Sequence, residues 1–178
     1  MTMETHVKKI CQSSYFQIRN IRSIRKLLSD DSAASLIYSF VTSRLDNGNC
    51  LLNGISDALL KKLQLVQNTA ARVLTKTRKY DHITPVLKDL HWLPVRERIQ
   101  YKILLLTWKS LHDVAPPYLK DLLIPYTPAR DLRSSDKELI SVPRVKTSYG
   151  DRAFSSAAPT LWNTLPIELR KSHSIEHF

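Results

Sequence analysis

Apolar residues recur every three to four positions in the first half of the chain, which is the period of an amphipathic α-helix. Between Val7 and Leu28, one helical face carries Val7, Ile10, Cys11, Ser14, Ile18, Ile21 and Leu28. A second helix is predicted to run to about Arg44, because Ser29 and Asp30 are suitable N-cap residues. A third is predicted over about Ser56–Thr77, where an apolar seam contains Leu59, Leu63, Val66, Ala70 and Val73. Residues 1–80 are therefore predicted to form a three-helix unit.

The second half, residues 81–178, is predicted to be a smaller helical region, because proline residues divide it into short segments. Its longest helix, Val95–Leu111, is apolar nearly all round and is expected at the centre of a core. Shorter helices are predicted at Pro85–His91, Tyr118–Ile124, Arg152–Trp162 (capped by Asp151) and Ile167–Arg170. A polar, Pro-interrupted loop is predicted over about 125–150, where a short β-hairpin pairing Leu139–Val142 with Val145–Ser148 is left as an option. The fold class is thus mainly α, with Trp92, Trp108 and Trp162 buried.

The chain is strongly basic, and its charge is unevenly distributed. The formal net charge is +11; residues 1–80 contain 13 Lys and Arg against 5 Asp and Glu, and residues 81–178 contain 14 against 11. The first and third predicted helices each carry a basic stripe, formed by Lys8, Arg19, Arg22 and Lys26 and by Lys61, Arg72, Lys76 and Lys79. This balance favours the phosphate backbone of RNA or DNA as the partner. A solvated basic surface without a partner remains the alternative.

The sequence offers little for catalysis, cofactors or metals. Its 3 glycines are too dispersed for a phosphate-binding loop. Asp30 and Asp31 lie at a helix start, where capping explains them better than the binding of catalytic metal ions. His173 and His177 form the only histidine pair at helical spacing and have no cysteine nearby in sequence, which argues against zinc. The chain is expected to bind no cofactor, metal or small-molecule substrate, and not to be an enzyme by itself.

The sequence also gives an expectation about location. The longest apolar run, Ile103–Leu106, is far too short to cross a bilayer, so no membrane association is expected. Cys11 and Cys50 are far apart, and no signal peptide is recognisable, which favours a reducing compartment over a disulfide scaffold. The protein is therefore expected in the nucleus or cytoplasm.

Five short tracts, in order along the chain, carry a resemblance to a known family. They are FVTSRLD at Phe40–Asp46, LQLVQNTAAR at Leu63–Arg72, HWLPVRER at His91–Arg98, RSSD at Arg133–Asp136, and GDRAF with LWNTLP between Gly150 and Pro166. From about residue 7 to 178, the chain resembles the tail of the polyprotein of LINE-type (non-LTR) retrotransposons, downstream of the reverse transcriptase fingers and palm. It departs from the usual pattern at Asn47 and Gly48, where the family has an aromatic residue and a cysteine. A glycine there is expected to loosen the end of a helix.

The resemblance implies that the chain is a remnant of an RNA-directed DNA polymerase. Such a remnant would comprise the thumb and the post-thumb region, without the catalytic carboxylates of the palm. Its remaining role would be non-specific binding of template–primer RNA or DNA. The missing palm domain of the parent polypeptide would be a further partner. Two alternatives stay open: a structural or protein-interaction helical module, and a fragment without function.

Overall fold

The computed structural model describes residues 2–128, 138–172 and 174–175. The chain divides into two compact units, residues 1–98 and 99–178, which places the division later than the predicted boundary at residue 80. Helices dominate the described ranges, in which one isolated bridge and no strand is found, so the predicted mainly-α fold is confirmed. Throughout these ranges, every helix is too short or too polar to span a bilayer.

The first unit is built from helices of very different length. It contains α1 (Met3–Ile24), a 3₁₀ turn (Arg25–Leu27), α2 (Asp30–Ile37), a π-helical segment (Tyr38–Thr42), α3 (Ser43–Asp46), a 3₁₀ turn (Asn49–Leu52), α4 (Asp57–Thr75) and α5 (Ile83–Asp89). The next helix, α6 (Val95–Leu111), begins within this unit and has the predicted bounds. The second predicted helix is thus α2, the π-helical segment and α3 in succession.

Local chemistry sets the ends of these helices. Ser29 caps α2 by accepting a hydrogen bond from the Ser32 amide at 3.2 Å, so Ser29 rather than Asp30 is the N-cap. Gly48 follows the end of α3 with a φ of +65°, a left-handed conformation that glycine adopts at no steric cost. The chain therefore turns at the glycine that was expected to loosen the helix end.

The core of the first unit lies where α1, α2 and α4 meet. The buried apolar side chains include Val7, Ile18 and Ile21 of α1, Ala33 and Ile37 of α2, and Leu63, Val66 and Ala70 of α4. These are the faces that the helical period predicts, and each fully buried Val, Leu or Ile contributes roughly 1.5–3 kcal/mol. Burying these faces turns the opposite faces of α1 and α4, with their basic residues, outward.

Residues 91–98 are held to the first unit by hydrogen bonds to the preceding helices. Gln67, which is 2% exposed, donates from Nε2 to the Leu93 carbonyl at 2.8 Å, and Gln64 Oε1 accepts from the Val95 amide at 2.8 Å. Trp92 Nε1 donates to the Tyr38 hydroxyl at 3.0 Å. Arg98 donates from Nη2 to Asp46 Oδ2 at 2.8 Å. These contacts explain why the first compact unit extends past residue 80.

The second unit contains most of α6 and three shorter helices: α7 (Pro117–Lys120), α8 (Phe154–Trp162) and α9 (Ile167–Arg170). The α9 helix matches its prediction, whereas α7 ends before the predicted Ile124. Asp151 lies in a 3₁₀ turn (Gly150–Arg152), and Ala153 is the N-cap of α8, so the predicted cap was wrong.

In place of the optional hairpin, the described part of the polar loop contains an isolated antiparallel bridge between Pro125 and Ile140. The Asn163 side chain explains this arrangement. Its Oδ1 accepts from the Ile140 amide at 3.0 Å, and its Nδ2 donates to the Ile140 carbonyl at 2.8 Å. A side chain thus satisfies the backbone groups that a partner strand would otherwise use. Residues 129–137 of this loop, including Arg133–Asp136, lie outside the described residues, as do His173 and His177.

All three tryptophans are buried, as predicted. In the second unit, Trp162 is fully buried and donates from Nε1 to the Glu138 carbonyl at 2.9 Å, while Trp108 donates to the Ser172 carbonyl at 3.0 Å. His112 stacks on Trp108 with ring centroids 3.9 Å apart. Buried indoles with a satisfied N–H anchor a core, which is the role these residues have here.

Candidate nucleic-acid interface

The outward faces of α1 and α4 form a surface with two adjoining grooves, both within the first unit. One lies toward the C-terminal ends of the two helices and is called the terminal groove. The other lies along the earlier part of α1 and is called the aromatic groove. Leu65 of α4 lines both, so the grooves meet at this side chain.

The terminal groove has a volume of about 690 Å³ and brings together residues that are distant in sequence. It is lined by Arg22, Arg25, Lys26, Leu65, Asn68, Thr69, Arg72, Val73, Lys76, Thr77 and Lys79. This set includes five of the eight predicted basic residues, with both stripes represented. The two stripes therefore meet at this end of the α1–α4 pair.

Arg25 lines the terminal groove but is only 6% exposed, and its guanidinium holds helix ends together. It donates to the carbonyls of Val73 at 3.1 Å and Leu74 at 2.7 Å, and it forms an ion pair with Asp30. The pKa of Asp30 is lowered, first by this hydrogen bond and then by the charge of Lys76. The sequence analysis did not include Arg25 among the candidate site residues, because Arg25 follows Ile18 and Ile21 at helical spacing on the apolar face. A charged residue in that register indicates a buried structural arginine.

Two of the predicted cations already have partners within the protein. Arg72 donates to the carbonyls of Arg78 and of Asp81, the latter at 2.8 Å, and so orders the chain that follows α4. Lys76 is the left-handed C-cap of α4, with φ of +58°, and its Nζ lies 3.5 Å from Asp30 Oδ1. Both side chains thus have structural functions, and each retains N–H donors for a further acceptor.

The remaining cations of the terminal groove are Arg22, Lys26 and Lys79. All three are exposed, and none belongs to an ion pair within the described ranges. Lys79 Nζ lies 5.7 Å from the Tyr80 ring centroid, a contact that leaves the ammonium accessible. These three side chains are the ones most available to an incoming anion.

The aromatic groove has a volume of about 830 Å³ and a different chemical character. Its lining consists of Glu4, Lys8, Cys11, Gln12, Tyr15, Phe16, Arg19, Lys62 and Leu65. Phe16 is 58% exposed and Leu65 52%, while Tyr15 lies between the basic residues of α1. Partial burial raises the pKa of the Cys11 thiol, and the Lys62 ammonium lowers it to a smaller extent. Exposed apolar surface and basic side chains are thus combined in one concave site.

Lys8 and Arg19 line the aromatic groove, but Lys61 lies in neither groove. It lines a separate depression of the first unit that includes Asp57, Gln64 and Glu97. Lys62, and not the predicted Lys61, lines the aromatic groove, because α1 packs along the side of α4 that carries Lys62 and Leu65. Lys62, Leu65, Thr69 and Lys76 recur at intervals of three, four and seven, so they share one face. That spacing was available in the sequence, but the choice between two adjacent lysines required the position of α1.

Other sequence features have structural explanations. In the tract His91–Arg98, Trp92 is buried, while His91 is exposed with a φ of +53° just beyond α5. Asp30 and Asp31 lie in the first turn of α2, where negative charge is favourable. In the described ranges, no group of three or more His, Cys, Asp or Glu residues is arranged to hold a metal ion.

No family model matches the chain, and comparisons with curated proteins and with solved structures give no significant match. The functional conclusion therefore depends on the chemistry of the α1–α4 surface and on the sequence resemblance.

Proposed function

We propose that residues 1–98 bind duplex nucleic acid through its phosphate backbone, as a polymerase thumb holds a template–primer duplex. The observation that carries this proposal is the meeting of five predicted cations, Arg22, Lys26, Arg72, Lys76 and Lys79, in one groove. A second support is the resemblance to the thumb region of non-LTR retrotransposon reverse transcriptases. The bound molecule would be a template–primer duplex of RNA and DNA. The chain binds it without catalysing a reaction of its own, and in a parent polypeptide the palm would be its neighbour.

The groove chemistry favours backbone contacts over base recognition. Lysine and arginine side chains that meet phosphates fix the position of a protein on a duplex but do not read its sequence. Engagement of about four phosphates gives a slope of roughly −3 to −4 when log Kobs is plotted against log salt concentration. Binding should therefore be strongly salt-dependent and only weakly sequence-dependent.

The test compares two double variants that remove the same charge from different places. Arg22→Gln/Lys26→Gln removes two unpaired cations of the terminal groove, and Lys61→Gln/Lys88→Gln removes two exposed cations that line neither groove. Fluorescence anisotropy with an RNA–DNA hybrid, over a series of salt concentrations, gives the slope for each. The first variant should make the slope shallower by about two units, and the second by much less.

Equal effects of the two double variants would mean that net charge, and not the groove, attracts the duplex. No binding of the wild-type protein at low salt would exclude the proposed function. Circular dichroism of all variants checks that their helical content is unchanged.

A second candidate function is a structural or protein-interaction module. It is favoured by the local partners of Arg25, Arg72 and Lys76, which lie near the C-terminal ends of α1 and α4. Cations there stabilise the helix dipole and need no external ligand. The same salt series decides between the two functions, because a structural module gives no groove-specific loss of duplex affinity.

A further inference from the structure

The aromatic groove has a composition that duplex binding alone does not require. A duplex backbone is held by cations, and its bases are already stacked on one another, so their faces are closed to the protein. Yet Phe16 and Leu65 of this groove are more than half exposed, and Tyr15 is also exposed. Exposed apolar side chains that gather in a concave, basic-rimmed site indicate a binding surface.

The basic residues of this groove, Lys8, Arg19 and Lys62, form no ion pair or side-chain hydrogen bond with the described residues. Glu4 is the single acidic residue in the lining. The site is therefore complementary to a ligand that carries flat apolar groups and several negative charges.

An unpaired nucleic acid strand has this combination of groups. Its bases expose their faces for stacking on aromatic rings, and its phosphates lie at regular intervals beside them. Lys8 and Arg19 are eleven residues apart on α1, which corresponds to about 16 Å along the helix axis. A strand stacked as in a duplex, at about 3.4 Å per nucleotide, would place roughly four or five nucleotides along this length, and a more extended unpaired strand fewer.

We propose that the aromatic groove holds the unpaired strand that extends from a bound duplex, with bases stacked on Tyr15 and Phe16 and phosphates contacting Lys8, Arg19 and Lys62. This inference rests on the proposed duplex binding for the terminal groove. The two grooves share Leu65, so a strand passes from one to the other without leaving the α1–α4 surface. An acidic amphipathic helix would match the aromatic groove alone, whereas nucleic acid matches both grooves.

The affinity test uses a blunt RNA–DNA hybrid and the same hybrid with a six-nucleotide unpaired extension, at one low salt concentration. The wild-type protein should bind the extended hybrid roughly tenfold more tightly, because each stacked base adds measurable affinity. Tyr15→Ala/Phe16→Ala should remove this advantage and leave the affinity for the blunt hybrid unchanged. Phe40→Ala is the matched control, because Phe40 is a similarly exposed aromatic residue of the same unit that lines neither groove.

A spectroscopic measurement reports stacking directly. The native tryptophans are buried, so the indole introduced by Phe16→Trp is the exposed one. Its fluorescence should be quenched by the extended hybrid and not by the blunt hybrid, and the variant should keep the affinity advantage. An amphipathic peptide rich in glutamate serves as the competing ligand.

The possible results separate this inference from the proposed function. If the blunt hybrid binds but the extension adds less than about twofold, or if its advantage survives Tyr15→Ala/Phe16→Ala, the inference is wrong and duplex binding stands. If the blunt hybrid does not bind but the extended one binds through Phe16, duplex binding by the terminal groove is wrong, and the aromatic groove binds an unpaired strand by itself. If the peptide quenches the Phe16→Trp indole and neither hybrid does, the groove is a protein-binding site and the inference fails.

Discussion

In the terminal groove, the basic side chains lie close to the ends of α1 and α4, where backbone carbonyls lack helical partners. Arg25 donates to carbonyls at the end of α4, Arg72 donates to carbonyls of the loop that follows α4, and Lys76 lies near Asp30. In the aromatic groove, the basic side chains lie on the middle turns of the same two helices, where the carbonyls are already bonded. Lys8, Arg19 and Lys62 have no such contacts in the part of the chain that the structure describes.

The comparison shows that part of the basic charge of the terminal groove is used within the fold, by Arg25, Arg72 and Lys76, whereas Arg22, Lys26 and Lys79 stay available to a ligand. Near a C-terminus, unsatisfied carbonyls and the helix dipole recruit cations for local stability. On a middle turn, a cation is solvated and stays available. Substitutions of Arg25, Arg72 or Lys76 in the terminal groove should therefore lower the stability of the fold, whereas substitutions of Lys8, Arg19 or Lys62 in the aromatic groove should leave it nearly unchanged.

The largest expected difference is in the free energy of unfolding. It separates a substitution of Arg25, which follows the end of α1, from a substitution of Arg19 within α1. Arg25→Ala removes the donor that satisfies the carbonyls of Leu28, Val73 and Leu74, and should lower the free energy of unfolding by about 2–4 kcal/mol. Arg19→Ala in the aromatic groove should change it by less than about 0.5 kcal/mol. Urea unfolding followed by circular dichroism measures both. Equal, small effects would show that Arg25 is not a structural arginine.

A smaller effect is expected for Asp30, and it should depend on pH. The hydrogen bond from Arg25, followed by the charge of Lys76, lowers the pKa of Asp30 in the folded protein. A lowered folded pKa means that the carboxylate stabilises the fold above its unfolded pKa of about 3.9, and that this contribution is lost as pH falls through the folded value. Asp30→Asn should thus be less stable than wild type at neutral pH, with the difference disappearing in acid.

The control for this measurement is Asp31→Asn. Asp31 lies in the same helical turn as Asp30, but its carboxylate belongs to no ion pair among the described residues. Urea midpoints determined from about pH 7 down to about pH 2 compare the two variants with wild type. A deficit of Asp30→Asn that persists unchanged into acid would assign its effect to packing instead of charge.

The smallest expected effect concerns the reactivity of one thiol. Burial raises the pKa of Cys11, and the nearby Lys62 ammonium lowers it partly. Because the thiolate is the reactive form, Lys62→Gln should raise this pKa further and slow the alkylation of Cys11 at mildly alkaline pH. Lys61→Gln, one residue away but in a separate depression, should leave the rate unchanged. Mass spectrometry of the Cys11 peptide measures the rate, and identical rates for both variants would place neither lysine near the thiol.

The helical period was sufficient for much of the fold. Together with the positions of the prolines it predicts α6 and α9 at their observed bounds, and the burial of all three tryptophans is also predicted. These features depend on contacts that the local pattern of apolar residues encodes directly. The end of the first unit at residue 98 could not be predicted, because it depends on Gln64 and Gln67 reaching residues more than 25 positions later in the chain.

The candidate site shows the same limit. A helical wheel places Lys8, Arg19, Arg22 and Lys26 on one face without a structure, but it cannot say which neighbouring helix lies beside them. That information separates Lys62 from Lys61 and brings Arg72 and Lys76 next to α1. The structure also reveals the exposed aromatic surface. From the sequence alone, Phe16 could equally lie in the core.

The attachment of residues 91–98 to α4 has a consequence for synthesis in the cell. Buried Gln67 finds its acceptor in the Leu93 carbonyl, and Gln64 finds its donor in the Val95 amide. At a translation rate of about 5–20 residues per second, the ribosome takes roughly 1–5 s to add the 23 residues from Thr75 to Arg98. During that interval the first helices are complete in sequence, but Gln64 and Gln67 each lack one hydrogen-bond partner and apolar surface is uncovered. The nascent chain is therefore most vulnerable to misassembly and chaperone capture just before residue 98 emerges, although its longest helices are already made.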